Sequence, residues 1–389
     1  MKYDFDRIIS RTGTDSVKWD HHQMKGEVED VIPMSIADMD FEAPDFVIDA
    51  VVERARHGVF GYTVVPEGYF SSLSKWLLKR SGWEVRKEWI RPTPGVIPAL
   101  AFAVQTFTEP GDRIVIQPPV YHPFRAVIAD NGRVVVNNPL KCEGNTYSMD
   151  IEGFKRVIDG RTKMVIISSP HNPVGRVWLR DELKDLTEVC LENGIIIISD
   201  EIHADLVMPG CTHTPTAMLS DEVSSITVTC TSPSKTFNLA ELHVANVIIP
   251  DKWLYERFDL ALSKAGLKRP NVLGMAALEA AYAKGGEWVN ELITYLNGNY
   301  LFMRDFFREK LPEVKVSAME GTYLGWLDFR GLGLPEASVD EGLLLKARVD
   351  MTPGRIFGPG GEGFYRMNLA CPRAVLEKAL SRIYGAFRK

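Results

Sequence analysis

The chain of 389 residues carries 51 acidic side chains against 45 lysines and arginines, a formal net charge of −6. This slight acidic excess leaves no basic face for nucleic acid or an anionic membrane, and no uninterrupted apolar stretch approaches the length of a membrane span. The length suits one large domain plus a smaller one. Five cysteines (Cys142, Cys190, Cys211, Cys230 and Cys371) lack CxxC spacing, which argues against a metal site or a disulfide framework and for a reducing cytoplasm.

The first twenty residues, "MKYDFDRIISRTGTDSVKWD", are polar, mixed in charge, and lack the apolar core of a signal peptide. "RPTPGVIPALAFAVQTF" (91–107) predicts an apolar helix with Pro-Gly at its mouth, whose free N–H groups and dipole suit a phosphate. Strands are expected at "RIVIQP" (113–118), "RVVVNN" (133–138), "KMVIISS" (163–169), "GIIIISD" (194–200) and "SITVTC" (225–230). Most of these runs are continuously apolar, as in strands covered on both faces. Between the last three, "RDELKDLTEVCLENG" (180–194) has helical spacing, acids in its first turn and Asn-Gly at its end. The alternation implies an α/β domain with a mostly parallel sheet, over about residues 48–290. A long helical pattern (285–312), a strand-like segment "KVSAMEGTYLGWLDFRG" and a closing helix (372–389) follow. They predict a smaller α+β domain formed by residues 291–389 together with the N-terminal 1–47.

In open α/β sheets ligands bind beyond the carboxyl ends of the strands. After their respective strands come Tyr121, Asn172, Asp200 with His203, and Ser232-Pro-Ser234-Lys235. Each has a plainer reading: Asp200 as a helix cap, "NPVG" as a turn, Tyr121 as core, Lys235 as a snorkelling side chain. Four such groups after strands of one sheet favour a shared site. Their chemistry suits pyridoxal phosphate. A lysine amine condenses with its aldehyde, an acid faces the ring nitrogen, an amide reaches the phenolic oxygen, an aromatic ring stacks, and hydroxyls with a helix N-terminus hold the phosphate.

"SPSKTF", "HNPVGR" and "SDEIHADL" resemble the lysine, asparagine and aspartate motifs of fold-type I, class I/II aminotransferases. "RTGTDSVKWD", "IADMDF", "FGYT", "TPGVIPAL", "PPVYHPF", "SKTFNLA" and "GEGFYRMNLACPR", in order from end to end, resemble the cystathionine β-lyase (C–S lyase) family of the MalY/PatB type. The resemblance implies roles residue by residue. Lys235 would link to the cofactor aldehyde and shuttle the proton. Asp200 would pair with the ring nitrogen, Asn172 and His203 would reach the phenolic oxygen, and Tyr121 would stack. Val96, Ile97, Ser232 and Ser234 would hold the phosphate, with Tyr62 contributed across a homodimer, and Arg366 would clamp the substrate carboxylate. A packed histidine is the alternative for His203, and a surface salt bridge for Arg366.

The implied activity is β-elimination of a thiol from L-cystathionine or a cysteine S-conjugate. The named residues serve equally an aminotransferase, and some relatives also act as regulators. Two positions depart from the family pattern. Ser35 stands where tryptophan is usual, removing an apolar wall near the expected entrance. Glu241 stands where glycine is usual, which demands either a different backbone or a side chain in the space glycine leaves open. His243, eight residues after the lysine, falls where other aminotransferases carry a phosphate-binding arginine.

Overall fold

The computed structural model describes residues 2–20, 28–267 and 269–388. A seven-stranded sheet is built from β1 (Ile90–Thr93), β2 (Arg113–Ile116), β3 (Val134–Asn137), β4 (Thr162–Ser168), β5 (Ile196–Asp200), β6 (Thr227–Thr231) and β7 (Ala245–Ile248), in the spatial order β1-β7-β6-β5-β4-β2-β3. Strands β2 to β6 pair in parallel, and β7 runs antiparallel to both β6 and β1. The five strands expected from sequence are all present. Strands β1 and β7 had no counterpart in the sequence reading. The "IRPT" of β1 is short and contains a proline, which an edge strand tolerates because one side of its ladder is unused. The "ANVI" of β7 lies directly behind the lysine loop.

Both faces of the sheet are covered, which explains the continuous apolar runs. Along β4, Met164 and Ile166 join one core with α1 (Val96–Phe107) and α2 (Lys252–Lys264). Val165 and Ile167, pointing the other way, join a second core with α3 (Arg180–Asn193). Helix α3 begins with Asp181 and Glu182 in its first turn and stops at Gly194, which adopts φ +62°.

A second, antiparallel sheet comprises β8 (Lys315–Val316), β9 (Leu324–Asp328), β10 (Thr352–Pro353) and β11 (Phe364–Asn368), ordered β8-β9-β11-β10. It packs with α4 (Gly286–Lys310) and α5 (Arg373–Phe387), whose expected spans agree within two residues. The N-terminal segment joins this part of the molecule. Ile32–Pro33 pairs in parallel with Val349–Asp350, and Phe5 and Phe41 pack edge-on against Trp288 and Tyr295 of α4. Among the described residues no helix is long and apolar enough to cross a membrane, and no cluster of side chains could hold a metal ion.

Candidate active site

The carboxyl ends of the parallel strands open into a cavity of about 790 Å³. Ten of the eleven sequence-predicted site residues line it: Val96, Ile97, Tyr121, Asn172, Asp200, His203, Ser232, Ser234, Lys235 and Arg366. The exception, Tyr62, projects into solvent at 102% exposure.

One end of the cavity is suited to an anion. Gly95 enters α1 at φ +153°, a conformation that disfavours any side chain. Pro98 lacks an N–H, and the Ala99 N–H bonds the Gly95 carbonyl at 3.2 Å. Val96 and Ile97 therefore carry the free donors of the first turn, at the positive end of the helix dipole. Ser234 lines the same cavity. The Ser232 hydroxyl is occupied in shaping the turn: it meets Val244 O at 2.7 Å, the Ser234 N–H at 3.0 Å and the Ser234 hydroxyl at 2.8 Å.

Three charged groups are desolvated around the same space. The Asp200 carboxylate, at the end of β5, is buried and accepts the Ile202 N–H at 3.2 Å. Burial pushes its pKa up to about 7, against the pull of that hydrogen bond and of Lys235. Burial pushes Lys235 down to about 8, with Asp38 and Asp200 opposing and Arg366 adding to the fall. Arg366, in the middle of β11, is pushed down to about 10 by burial. Its guanidinium donates to Asn172 Oδ1 at 3.0 Å and to Ser35 O at 2.8 Å, lies 4.9 Å from the Phe357 ring, and leaves Nε without a partner. All of these partners are neutral. This excludes the surface salt bridge weighed from sequence.

His203 is buried against Tyr323, ring centroids 5.8 Å apart, with Nδ1 unpartnered. Burial first, then Lys235 and Arg366, hold its pKa down near 3, so the imidazole is neutral. Asn172 gives its amide oxygen to Arg366, which leaves the amide N–H groups as the donors it can offer the cavity.

Sequence reasoning missed how residues 35–39 are held beside the cavity, with Ile36, Ala37 and Asp38 on its wall. This bent strap hangs by five consecutive carbonyls. Ser35 O accepts Arg366, Ile36 O and Asp38 O both accept Asn368 Nδ2, Ala37 O accepts Lys235 Nζ at 2.7 Å, and Met39 O accepts Arg11 and Asn238. Asp38 and Asp40 fasten it further. Arg11 reaches them at 2.7 and 2.8 Å, and the fully buried Lys18 amine reaches Asp40 at 2.8 Å. The two closely spaced acids of "ADMD" are the signal the sequence offered. Backbone acceptors leave no such trace.

The two departures fall away from the buried chemistry. Ser35 does not line the cavity; its hydroxyl is hydrogen-bonded to Asp350, and its carbonyl does the work at Arg366. Glu241 occupies an ordinary short helical turn, Ala240–Leu242, while positive φ falls on Asn238 and His243. Its carboxylate is 95% exposed at the cavity rim, 3.3 Å from His243 Nε2.

Residues 29–383 match the aminotransferase class I and II family. The chain is 45% identical to the cystathionine β-lyase PatB of Bacillus subtilis (strain 168), over 98% of this chain and 99% of that protein. Its fold superposes on cystalysin from Treponema denticola, whose structure contains pyridoxal 5′-phosphate, with a TM-score of 0.96 at 38% identity over 99% of both chains. It superposes on the pyridoxal-phosphate-bound C–S lyase of Staphylococcus hominis with a TM-score of 0.92 at 32% identity, over 100% of this chain and 98% of that one. Motifs, strand order and overall similarity agree: the chain belongs to the aminotransferase class I and II family and, within it, to the cystathionine β-lyase group of PatB.

Proposed function

We propose that this chain is a pyridoxal-phosphate-dependent carbon–sulfur β-lyase, cleaving L-cystathionine or related cysteine S-conjugates to a thiol, pyruvate and ammonia. The observation that carries the reading is the set of buried charges around one cavity. Asp200 awaits a cation, Arg366 is held only by neutral acceptors and suits a carboxylate, and the Lys235 amine is kept close to its neutral, nucleophilic form. The residues fit the cofactor. Asp200 would hold a proton on the ring nitrogen, Asn172 and His203 would reach the phenolic oxygen, and Tyr121 would cover the ring. The Val96 and Ile97 N–H groups and Ser234 would take the phosphate, with Ser232 shaping their turn.

Pyridoxal phosphate supplies, when bound, an aldehyde that condenses with amines and a ring that withdraws electrons from the substrate Cα. Arg366 holds the substrate carboxylate by a charge-assisted fork and so aims the Cα–H at Lys235. The Lys235 amine removes that proton. The bond from Cβ to sulfur breaks, the sulfur leaves as thiol, and water converts the remaining three carbons to pyruvate with release of ammonia. Residues 48–290 are assigned as the cofactor-binding domain, with 1–47 and 291–389 as the smaller one. The segment around Tyr62, with Val59, Phe60 and Val64 also exposed, supports a homodimer in which Tyr62 reaches the partner's phosphate. Five free thiols suit a cytoplasmic setting.

Incubation with L-cystathionine should yield pyruvate and thiol in equal amounts with no 2-oxo acid added as amino acceptor. Borohydride should fix the cofactor to Lys235, and Lys235→Ala should lose both the linkage and turnover. Product formation that requires a 2-oxo acid would make the protein an aminotransferase instead. Arg366→Ala should raise KM for the amino acid by a factor corresponding to about 2 kcal/mol or more, while cofactor content is retained. Lost cofactor with unchanged KM would contradict the assignment.

Asp200 predicts a pH signature in the cofactor-free protein. Its folded pKa lies above the ordinary 3.8, so the native state holds the proton longer than the unfolded chain. Its contribution to stability therefore falls as pH rises from 3.8 to about 7 and is level above that, a change on the order of 4 kcal/mol. Urea unfolding of wild type and Asp200→Asn between pH 5 and 8 should show the difference between the two falling over this window. Loading with cofactor should flatten it. Tyr62→Phe should weaken cofactor retention by about 1 kcal/mol, and retention should fall on dilution below the dimer's dissociation constant; a dilute monomer that keeps its cofactor fully would refute the cross-subunit role.

A further inference from the structure

The Lys235 amine donates to the Ala37 carbonyl at 2.7 Å. That oxygen accepts a second donor, the Tyr323 hydroxyl, at 2.8 Å. A carbonyl oxygen has two lone pairs, so both are engaged. Its position is set from either side, because the Ile36 and Asp38 carbonyls are both held by Asn368 Nδ2, at 2.6 and 2.5 Å. Tyr323 is itself immobilised. It is fully buried at the head of β9, its ring meets His203 edge-on, and the preceding Thr322 is tied through its N–H to Leu206 O at 2.7 Å and through its hydroxyl to the Leu324 N–H at 3.0 Å.

We propose that Tyr323 is a positioning residue for Lys235: by occupying one lone pair of the Ala37 carbonyl, its hydroxyl fixes the point at which the amine rests whenever it is not covalently engaged, and limits how tightly it is held there. This rests on Lys235 being the reactive lysine of the β-lyase reading. Two donors on one oxygen weaken each other, since each withdraws electron density that the other would use. With the phenol present, the carbonyl orients the amine without trapping it as an ammonium. The charged and titratable groups around the amine are Asp38 on the strap with its partners Arg11 and Lys18, Asp200 after β5, neutral His203, Tyr121, and Arg366 on β11. Tyr323→Phe leaves all of these side chains in place, although Arg366, Asp38 and Tyr121 also feel the Tyr323 phenol electrostatically.

The test uses Tyr323→Phe, which keeps the ring and its packing. In cofactor-free protein, the rate at which an acylating reagent labels Lys235, followed by peptide mapping across pH, reports the basicity of this amine directly. The midpoint should move up by roughly half a pH unit, because the ammonium then has the carbonyl to itself. At neutral pH, labelling should slow about threefold. In the loaded enzyme kcat should fall with KM for L-cystathionine changed less than twofold, since the hydrogen bonds that place Arg366 run to Asn172 and Ser35 and do not involve the phenol. A midpoint that stays in place or moves down overturns the proposal, even with a lowered melting temperature, since packing alone would produce only the latter. The labelling profile is independent of lyase turnover. If instead borohydride fixes the cofactor to another lysine, the β-lyase assignment fails separately.

Discussion

Desolvation of unpaired charge is the constraint on which this structure depends. A carboxylate, an ammonium and a guanidinium are taken out of water around one cavity, and each is driven toward its neutral form: Asp200 up to about 7, Lys235 down to about 8, Arg366 down to about 10. Burial of this kind is unfavourable unless a ligand supplies the missing partners. The architecture is arranged to hold the groups there regardless. Parallel strands bring Asp200, Asn172 and the lysine turn to one edge, apolar layers on both faces shield that edge, and Gly95 lets α1 begin close to the same space. A ligand that brings a cationic group to Asp200 and an anion to Arg366 would relieve this electrostatic mismatch.

Arg366 comes from the second sheet, so the site depends on what joins the two sheets. The strap at residues 35–39 does this through its backbone. Ser35 O holds the guanidinium and Ala37 O holds the lysine amine, two residues apart on the same bent segment. Arg366 and Lys235 are therefore both referenced to one short piece of chain. That piece is fastened by the buried Lys18–Asp40 pair and by Arg11 on Asp38 and Asp40. Removing Asp40 would leave the fully buried Lys18 amine without its near carboxylate, so this fastening resists loosening.

Side chains placed by strand ends were readable from sequence because parallel β-strands follow a rule: apolar runs mark the strands, and the polar residues after them meet at one edge. Tyr121, Asn172, Asp200 and Lys235 were all found this way. The positions that escaped are held by backbone. The Ala37 carbonyl carries no side-chain signature, and Tyr323, inside "EGTYLGW", reads as an ordinary strand aromatic until its hydroxyl is seen on that carbonyl. Strand β1 escaped because its proline and arginine hide it from an apolar-run search, although it delivers Gly95 and α1 to the site. Ser35 was read as a lost apolar wall, whereas its hydroxyl turns to Asp350 and only its carbonyl serves the site.

Glu241 follows from the same electrostatics. Its backbone makes no demand for glycine, because the left-handed residues of this loop are Asn238 and His243 on either side of it. Its carboxylate stands at the rim, almost wholly in water, with His243 at 3.3 Å. An exposed pair of this kind is screened and contributes little, whereas Arg366 is buried and screened far less. The substitution therefore adds an exposed negative charge at the rim and leaves Lys235, Asp200 and Arg366 with the partners they have. A charge so placed in water is weakened by salt, whereas the buried groups are screened far less.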